Sequence, residues 1–185
     1  MSAPPGTVVR PGSDQDAEGF IALIGACWAE YPGCVLDVDA EVPELRALAS
    51  HMRTKGGALW AAEYAGRVVG MVGTYPEGAD PLAPALSPAS GGEDCWAISR
   101  LYLDRSLRGT GLADRLLDQA EAHAVARGAR RLALWTDTRF ERAHRFYERR
   151  GYVRSGLTRA LGDLSNTIEF HYAKPARSLH LDHFG

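Results

Sequence analysis

The sequence predicts a single α/β domain in which a mixed, mostly antiparallel sheet is flanked by about four helices. Short alternating or apolar segments, which are typical of strands, are interspersed with segments whose apolar residues recur at helical spacing. A chain of 185 residues that is 45% hydrophobic is large and apolar enough to build one core. We therefore treat residues 1–185 as one domain, with a core from about residue 6 to 174 and a C-terminal tail from 175 to 185.

The first part of the chain contains strands and helices that end at clear turn residues. In order, the predicted elements are a strand over Thr7–Arg10, a helix that begins after Ser13-Asp14 and ends at Tyr31-Pro32-Gly33, a short helix over Val42–Met52, and strands over Ala58–Tyr64 and Arg67–Tyr75. Ala65-Gly66 separates the last two strands and favours an antiparallel hairpin. Pro76–Asp94 is dense in Pro, Gly, Ala and Ser, which favours a long loop that serves as a rim or a lid.

The second part of the chain alternates strands with helices. In order, the predicted elements are a buried strand through Ile98–Leu103, a long helix that carries Leu112, Leu116 and Ala120 on its apolar face, a strand over Arg131–Trp135, a helix over Phe140–Arg149, and strands near Tyr152–Arg159 and Asn166–Ala173. The long helix crosses between two neighbouring strands, which makes the predicted sheet mixed.

A glycine-rich loop, Arg108-Gly109-Thr110-Gly111, lies between the buried strand and the long helix. Glycine lets a ligand approach the main chain closely. The first amides of the helix have no intrahelical partner and carry the positive end of the helix dipole. The loop therefore predicts an anion site at this junction, although a short loop of this kind is also an ordinary strand-to-helix turn.

Two common phosphate loops do not match these residues. A dinucleotide fingerprint needs a third glycine where this chain has Asp114, whose charge would oppose a pyrophosphate. A Walker loop needs Gly-Lys followed by Ser or Thr, and that tripeptide does not occur in the chain. Neither a Rossmann nor a P-loop nucleotide site is therefore expected.

The loop and a second motif together resemble a known family. Read from Arg108, the loop spells Arg-x-x-Gly-x-Ala, with the strand RLYL before it and DRLL after it. Downstream, RRLALWTD precedes FERAHRFYERRGYV, in which an Ala is followed three residues later by an aromatic-Tyr pair and then by Gly-aromatic. The two motifs span about a third of the chain and resemble those of the GNAT superfamily of acyl-CoA N-acyltransferases.

This resemblance implies a GNAT-like fold whose two central strands splay apart, and it implies acetyl-CoA or coenzyme A as a co-substrate. A pantetheine arm would pair with the exposed backbone of the buried strand, and the pyrophosphate would lie on the amides of the loop. The implied cofactor-binding residues are Leu101, Tyr102, Leu103, Arg108, Gly109, Thr110, Gly111, Leu112 and Ala113. The Arg108 side chain is also expected to reach a phosphate, unless it is an ordinary surface arginine.

The resemblance also implies direct attack of an amine on the thioester. Tyr147 occupies the position that matches the family's general-acid tyrosine, and a phenol with a pKa near 10 is protonated at neutral pH, so it can donate a proton to the sulfur. The same tyrosine also fits a purely structural place on the apolar face of its helix. Many relatives carry a glutamate where this chain has Ala97. Glu93 and Asp94 are candidate bases through water, or the acceptor arrives as a neutral amine.

The charges are unevenly distributed along the chain. Residues 1–99 contain 5 Lys and Arg but 13 Asp and Glu, whereas residues 100–159 contain 14 Lys and Arg and 7 Asp and Glu. The basic part contains the phosphate loop, as a phosphorylated ligand requires, although arginines such as Arg142 and Arg145 also fit a solvated helix face. Asp37, Asp39, Glu41 and Glu44 favour a cationic amine as acceptor or, alternatively, a solvated helix start. Nucleic acid is not an expected partner, because the chain is acidic overall with a net charge of −2.

Other features limit the class of protein. The longest apolar stretch, Phe20–Ala29, is far shorter than the roughly twenty residues that cross a bilayer, and the N-terminus lacks signal-peptide features, so we expect no membrane association. Three cysteines without Cys-x-x-Cys spacing and six scattered histidines predict neither disulfides nor a metal site, and a cytoplasmic location is expected.

Three functional hypotheses follow from the sequence. The first is an N-acetyltransferase that transfers an acetyl group from acetyl-CoA to a primary amine on a small molecule or a peptide. The second is a non-catalytic acyl-CoA-binding or sensing module, which the missing glutamate permits. The third is a protein-interaction domain built on the same scaffold. A homodimer is compatible with all three hypotheses.

Overall fold

The computed structural model describes residues 2–77 and 94–176 of the chain, and the bounds of most of its elements follow the sequence prediction closely. The strands are β1 (Val8–Pro11), β2 (Ala58–Tyr64), β3 (Arg67–Pro76), β4 (Cys95–Leu103), β5 (Arg131–Asp137), β6 (Val153–Ala160) and β7 (Ile168–Pro175). The α-helices are α1 (Ala17–Trp28), α2 (Val38–Glu41), α3 (Leu48–Thr54), α4 (Leu112–Ala126) and α5 (Glu141–Arg149). Among these described residues, no helix is both long and apolar enough to cross a membrane.

The seven strands form one mixed sheet in the order β1-β2-β3-β4-β5-β7-β6. Every neighbouring pair is antiparallel except β4 and β5, which run parallel and are joined through the crossover helix α4. The prediction of a mixed, mostly antiparallel sheet is therefore confirmed. The hairpin of β2 and β3 turns at Ala65, which has a positive φ of 49°, and Gly66, which has a φ of 73°.

The two parallel strands separate partway along their length. β4 pairs with β5 only from Cys95 opposite Arg131 to Ala97 opposite Ala133. Beyond these residues β4 continues to Leu103 and β5 to Asp137 without pairing to each other. The predicted splay is thus present. It leaves backbone groups along one side of β4 available to another molecule, because each strand residue offers an amide and a carbonyl.

A β-bulge in β4 changes which face of the sheet Tyr102 lies on. Ser99 lies opposite Gly73 and Tyr102 lies opposite Met71, so β4 has one more residue here than β3. Arg100 has a φ of 53°, a left-handed conformation that non-glycine residues rarely adopt. The bulge lets Tyr102 reach the side of the sheet that α1 covers, where its hydroxyl oxygen accepts a 3.0 Å hydrogen bond from Trp28 Nε1.

Each face of the sheet has its own apolar core. Leu112, Leu116 and Leu117 of α4 are fully buried against one face. Gly70 of β3 permits this close approach, since a Cβ there would lie 2.8 Å from Leu116 Cδ1. Phe20 of α1 and residues of α3 are buried against the other face. Removing a leucine such as Leu116 by substitution with alanine would cost about 2–5 kcal/mol, so α4 is firmly seated and its N-terminus is held in place.

The structure corrects one predicted helix and adds a short one. The helix expected over Val42–Met52 is instead a 3₁₀ turn over Pro43–Ala47 followed by α3. Val42 precedes a proline and has φ −139° and ψ 50°, because the proline ring disfavours α-helical geometry in the residue before it. The single turn α2 was not predicted; it is capped by Asp37, whose Oδ1 accepts a 2.9 Å hydrogen bond from the Ala40 amide.

Candidate active site

The glycine loop leads into α4 in the open geometry that the sequence predicts. Gly109 and Gly111 have φ values of 77° and 79°, which favour glycine. A Cβ on either residue would meet no described atom within 4 Å, so no described part of the protein fills the space beside this backbone. Outside the helix itself, no described group accepts a hydrogen bond from the amides of residues 109–113. The loop therefore presents free amide donors at the positive end of the helix dipole.

A cleft of about 230 Å³ runs along this loop and is called the basic cleft below. Its lining includes six of the nine predicted cofactor-binding residues: Leu101, Tyr102, Leu103, Arg108, Gly109 and Ala113. Thr110 and Gly111 do not line it; the Thr110 hydroxyl donates a 2.6 Å hydrogen bond to the Leu107 carbonyl within the turn. The Leu112 side chain is fully buried in the core, so only its backbone is available to a ligand.

The charged residues that line the basic cleft in the described part of the chain are arginines. Arg108 lies on the loop side, and three further arginines of the lining, Arg142, Arg145 and Arg149, belong to α5. Among the described residues that line the cleft there is no aspartate or glutamate. Such a cleft attracts a polyanionic ligand.

Arg108 does not extend freely into the cleft. Its Nη1 and Nη2 atoms lie 2.8 and 2.5 Å from the carboxylate oxygens of Glu30, just beyond the end of α1. Both side chains are mostly shielded, with exposed fractions of 20% and 24%. In this structure the Arg108 side chain is paired with Glu30, and the expectation that it reaches a phosphate stays a prediction.

A second cavity of about 420 Å³, called the acidic cavity below, lies beside the splayed strands. The described residues of its lining include six carboxylate residues, Asp37, Glu41, Glu77, Asp137, Asp163 and Glu169, and two arginines, Arg100 and Arg159. Of the four acids predicted for an acceptor site, Asp37 and Glu41 are in the lining. The other two form ion pairs: Asp39 lies 2.7 Å from Arg46 and Glu44 lies 2.6 Å from Arg100.

Hydrogen bonds between distant segments connect the chain next to the acidic cavity. The Leu164 amide in the β6–β7 loop donates a 2.6 Å hydrogen bond to Glu41 of α2. The Val35 amide donates a 2.8 Å bond to Ser165 Oγ, and Ser165 Oγ donates back to the Val35 carbonyl at 3.1 Å. These bonds hold the segment after α1 against the loop that joins β6 and β7.

Tyr147 lies where the two cavities meet. Leu101, Tyr102, Phe140, Ala143 and Tyr147 line both cavities. Tyr147 is only 7% exposed and packs its ring against those of Phe146 and Tyr152, at centroid distances of 5.6 and 5.8 Å. Within the described part of the chain its hydroxyl makes no hydrogen bond. The tyrosine therefore has both the structural contacts and the cavity position that the sequence left as alternatives.

Burial determines the protonation of Tyr147. Loss of water around the phenol, with a smaller contribution from nearby Tyr102, raises the pKa of Tyr147 above its ordinary value of 10. The neutral phenol is the form that can donate a proton. Tyr147 therefore keeps its phenolic proton across the whole physiological pH range.

Of the two predicted base residues the structure describes only Asp94, and Asp94 does not lie at this junction. Asp94 lies 3.3 Å from Arg130, its carbonyl accepts from the Arg130 amide at 2.8 Å, and it lines neither cavity. Glu93, like most of the predicted Pro76–Asp94 loop, lies outside the described residues. Ala97, the position of the missing glutamate, does line the acidic cavity. The carboxylates that do line it include Glu77, one residue past the end of β3, which the sequence analysis did not single out.

The splayed sheet, the glycine loop at the start of α4 and the two cavities joined at Tyr147 define an acyltransferase of the type that the motifs resemble. The sequence profile of the Acetyltransferase (GNAT) family matches residues 22–152. The chain therefore belongs to the GNAT family of acetyltransferases, as the motif resemblance implied.

Similar proteins agree with this assignment. The chain is 31% identical over 153 residues to the uncharacterized N-acetyltransferase YjgM of Escherichia coli K12, covering 81% of this chain and 84% of that protein. Its fold matches an acetyltransferase from Streptococcus agalactiae with a TM-score of 0.73 and 18% identity, over 93% of this chain and 99% of the other. It also matches YncA of Salmonella typhimurium, a putative acetyltransferase whose structure includes its cofactor acetyl-CoA, with a TM-score of 0.65 and 12% identity over 94% and 95% of the chains.

Proposed function

We propose that this protein transfers an acetyl group from acetyl-CoA to the primary amine of a small cationic molecule. The observation that carries the proposal is the meeting of two cavities of opposite charge at Tyr147, in the gap between β4 and β5. An anionic thioester and a cationic amine can each enter the cavity that suits its charge. Their reacting groups then come together at the junction.

The basic cleft suits acetyl-CoA in shape and in charge. A pantetheine arm can pair with the backbone of β4 beyond Ala97, where β5 has moved away. The pyrophosphate can accept hydrogen bonds from the open amides around Gly109 and Gly111. A structural relative was solved with acetyl-CoA, which supports the same choice of acyl donor here.

The acidic cavity suits a small cationic acceptor. Its volume of about 420 Å³ is in the usual range for small-molecule sites. Asp37, Glu41 and Asp163 line it and form no ion pair within the described residues, so a cationic ligand would not have to displace an existing cation. The hydrogen bonds that hold the segment after α1 against the β6–β7 loop restrict the room beside the cavity and favour a small molecule over a bulky peptide.

The proposed reaction is a single displacement at the thioester carbonyl. A primary amine with a pKa near 10.4 is largely protonated at neutral pH and must lose a proton before it attacks. We assign the role of the base that accepts this proton, through water, to the carboxylates of the acidic cavity instead of Asp94. The amine nitrogen then bonds to the carbonyl carbon, the carbon–sulfur bond breaks, and the sulfur takes the phenolic proton of Tyr147. The nitrogen loses its second proton as the amide forms, and a proton returned through water restores the phenol of Tyr147. The amide and coenzyme A are the products.

The decisive experiment measures coenzyme A release from acetyl-CoA with a panel of amines. The panel contains aliphatic diamines, polyamines, amino sugars, a lysine peptide and neutral aromatic amines. We expect release above background with small polycationic amines, and an acetylated amine in the mass spectrum. Tight binding of coenzyme A without release for any amine would overturn the enzymatic proposal and favour an acyl-CoA-binding module.

A further inference from the structure

Three arginines form a row on the face of α5 that borders the basic cleft. Arg142, Arg145 and Arg149 are three and four residues apart, a spacing that places them on one face of a helix. All three line the same cleft as Gly109 and Ala113 of the glycine loop. A ligand in the cleft therefore lies between the amides of the loop on one side and this arginine row on the other.

The charges of the arginine row are hardly compensated by the protein. Arg145 lies 3.7 Å from Glu141, and both side chains are well exposed, at 63% and 78%. In the part of the chain that the structure describes, Arg142 and Arg149 form no ion pair. The neighbouring Arg150 differs, because it leaves the cleft and lies close to carboxylates of α4, among them Asp114 at 3.3 Å.

The other groups of the cleft that could bind coenzyme A already have a protein partner or an assigned part of that ligand. Arg108 is held by Glu30 through two short contacts. The proposed function gives the pyrophosphate to the loop amides and the uncharged pantetheine arm to β4. The remaining anionic group of coenzyme A is the 3′-phosphate on its ribose, and the remaining unassigned cations of the cleft are the arginine row.

We propose that the arginine row of α5 binds the 3′-phosphate and so makes the protein select acetyl-CoA over acetyl-dephospho-CoA. The inference rests on the proposed function for the identity of the acyl donor. Arginine suits this task, because its planar guanidinium donates two parallel hydrogen bonds to phosphate oxygens. The row stands at the surface, so each contact is weakened by water, and the three act together.

The test compares the KM values for acetyl-CoA and acetyl-dephospho-CoA in the wild type and in a triple variant with Arg142→Gln, Arg145→Gln and Arg149→Gln. We expect the wild type to show a KM roughly tenfold lower for acetyl-CoA, as three exposed ion contacts would produce. The triple variant should bring the ratio close to one. Its circular dichroism spectrum and melting temperature report whether it is folded.

A matched control removes the same charge from positions outside both cavities, with Arg53→Gln, Arg67→Gln and Arg127→Gln. This variant should keep the wild-type KM ratio, which separates local binding from the loss of overall positive charge. A triple variant that keeps the wild-type ratio, or a wild type without any preference, would overturn the inference.

Calorimetry with coenzyme A and dephospho-coenzyme A separates this inference from the proposed function. If no amine is acetylated, the ratio of the two dissociation constants still reports on the arginine row. A tenfold preference that disappears in the triple variant would support the 3′-phosphate site even for a binding module. Equal affinities for the two ligands in the wild type would reject it.

Discussion

The guanidinium of Arg108 and the carboxylate of Glu30 form a two-contact ion pair that joins the phosphate loop to the end of α1. The distances are 2.8 and 2.5 Å, and the residues are 78 positions apart in sequence. The pair borders the basic cleft, where Cys27 of α1 also donates a 3.5 Å hydrogen bond to the Leu103 carbonyl. These contacts fix the loop relative to the helix on the other side of the sheet.

Substitution Glu30→Gln should lower the free energy of unfolding by about 1 kcal/mol at pH 7, the upper range for a partly exposed ion pair. Hydrogen bonding to Arg108 holds the pKa of Glu30 below its ordinary value of 4.5. A carboxyl with a lowered folded-state pKa contributes stability above its unfolded pKa and loses it as the pH falls through the folded value. The difference between wild type and variant should therefore be complete above about pH 5 and shrink below pH 4.5.

Urea unfolding of both proteins at pH 7 and at pH 3.5 measures this dependence. Glu18→Gln is the control, since Glu18 lies in the first turn of the same helix and forms no ion pair in the described part of the chain. A difference for Glu30→Gln that stays constant between the two pH values would contradict the assigned role of the pair.

Substitution Gly111→Glu should weaken coenzyme A binding by roughly a hundredfold or more, because a carboxylate would lie beside the pyrophosphate. The residue has a φ of 79°, so any side chain there also costs about 1–2 kcal/mol of backbone strain. Gly128→Glu controls for that strain, since Gly128 lies at the other end of α4 with a φ of 91° and nothing within 4 Å of its Cβ position. Isothermal calorimetry should show loss of binding for the first variant alone.

Substitution Tyr147→Phe should lower kcat by roughly a hundredfold, the lower range for loss of a general acid, and leave the KM for acetyl-CoA nearly unchanged. Tyr152→Phe is the matched control: its ring lies 5.8 Å from that of Tyr147, and its hydroxyl donates to Glu121 at 2.9 Å, outside the cavity junction. That variant should lose about 1 kcal/mol of stability and keep its turnover. Equal turnover in Tyr147→Phe and wild type would remove the acid role.

The acid role of Tyr147 also predicts a pH profile. Burial raises the pKa of this phenol above 10, so it stays protonated as the pH rises through the physiological range. Turnover of the wild type should therefore not fall between pH 7 and 9 through ionisation of Tyr147. A fall in this range that is absent from Tyr147→Phe would contradict the raised pKa.

Substitution Asp37→Asn should raise the KM for a cationic acceptor up to about fivefold and leave the KM for a neutral amine unchanged. Asparagine retains the N-cap acceptor for the Ala40 amide, so α2 should remain intact. Asp39→Asn is the control, because Asp39 lies in the same helix, pairs with Arg46 and does not line the acidic cavity. Steady-state kinetics with a diamine and a neutral amine would show equal effects on both if the charge of Asp37 were irrelevant.

The sequence by itself determined the local elements and the position of the phosphate loop. Apolar spacing and turn residues encode which face of each strand or helix is buried, and they depend only on nearby residues. The role of Gly109 and Gly111 could be predicted in the same way, since the backbone freedom of glycine acts within the loop that these residues form. The one predicted helix that proved wrong, Val42–Met52, contains a local signal, Pro43, whose effect on Val42 outweighed the apolar spacing.

Only the tertiary structure decided which charges share a cavity. Glu77, Asp163 and Glu169 come from three separate parts of the chain and meet only because the sheet brings β3, β6 and β7 to one cavity. The partner of Arg108 was likewise set by packing, because Glu30 is distant in sequence. Pairing between remote side chains depends on strand order and on the splay of β4 from β5. Neither feature can be derived from the spacing of neighbouring residues.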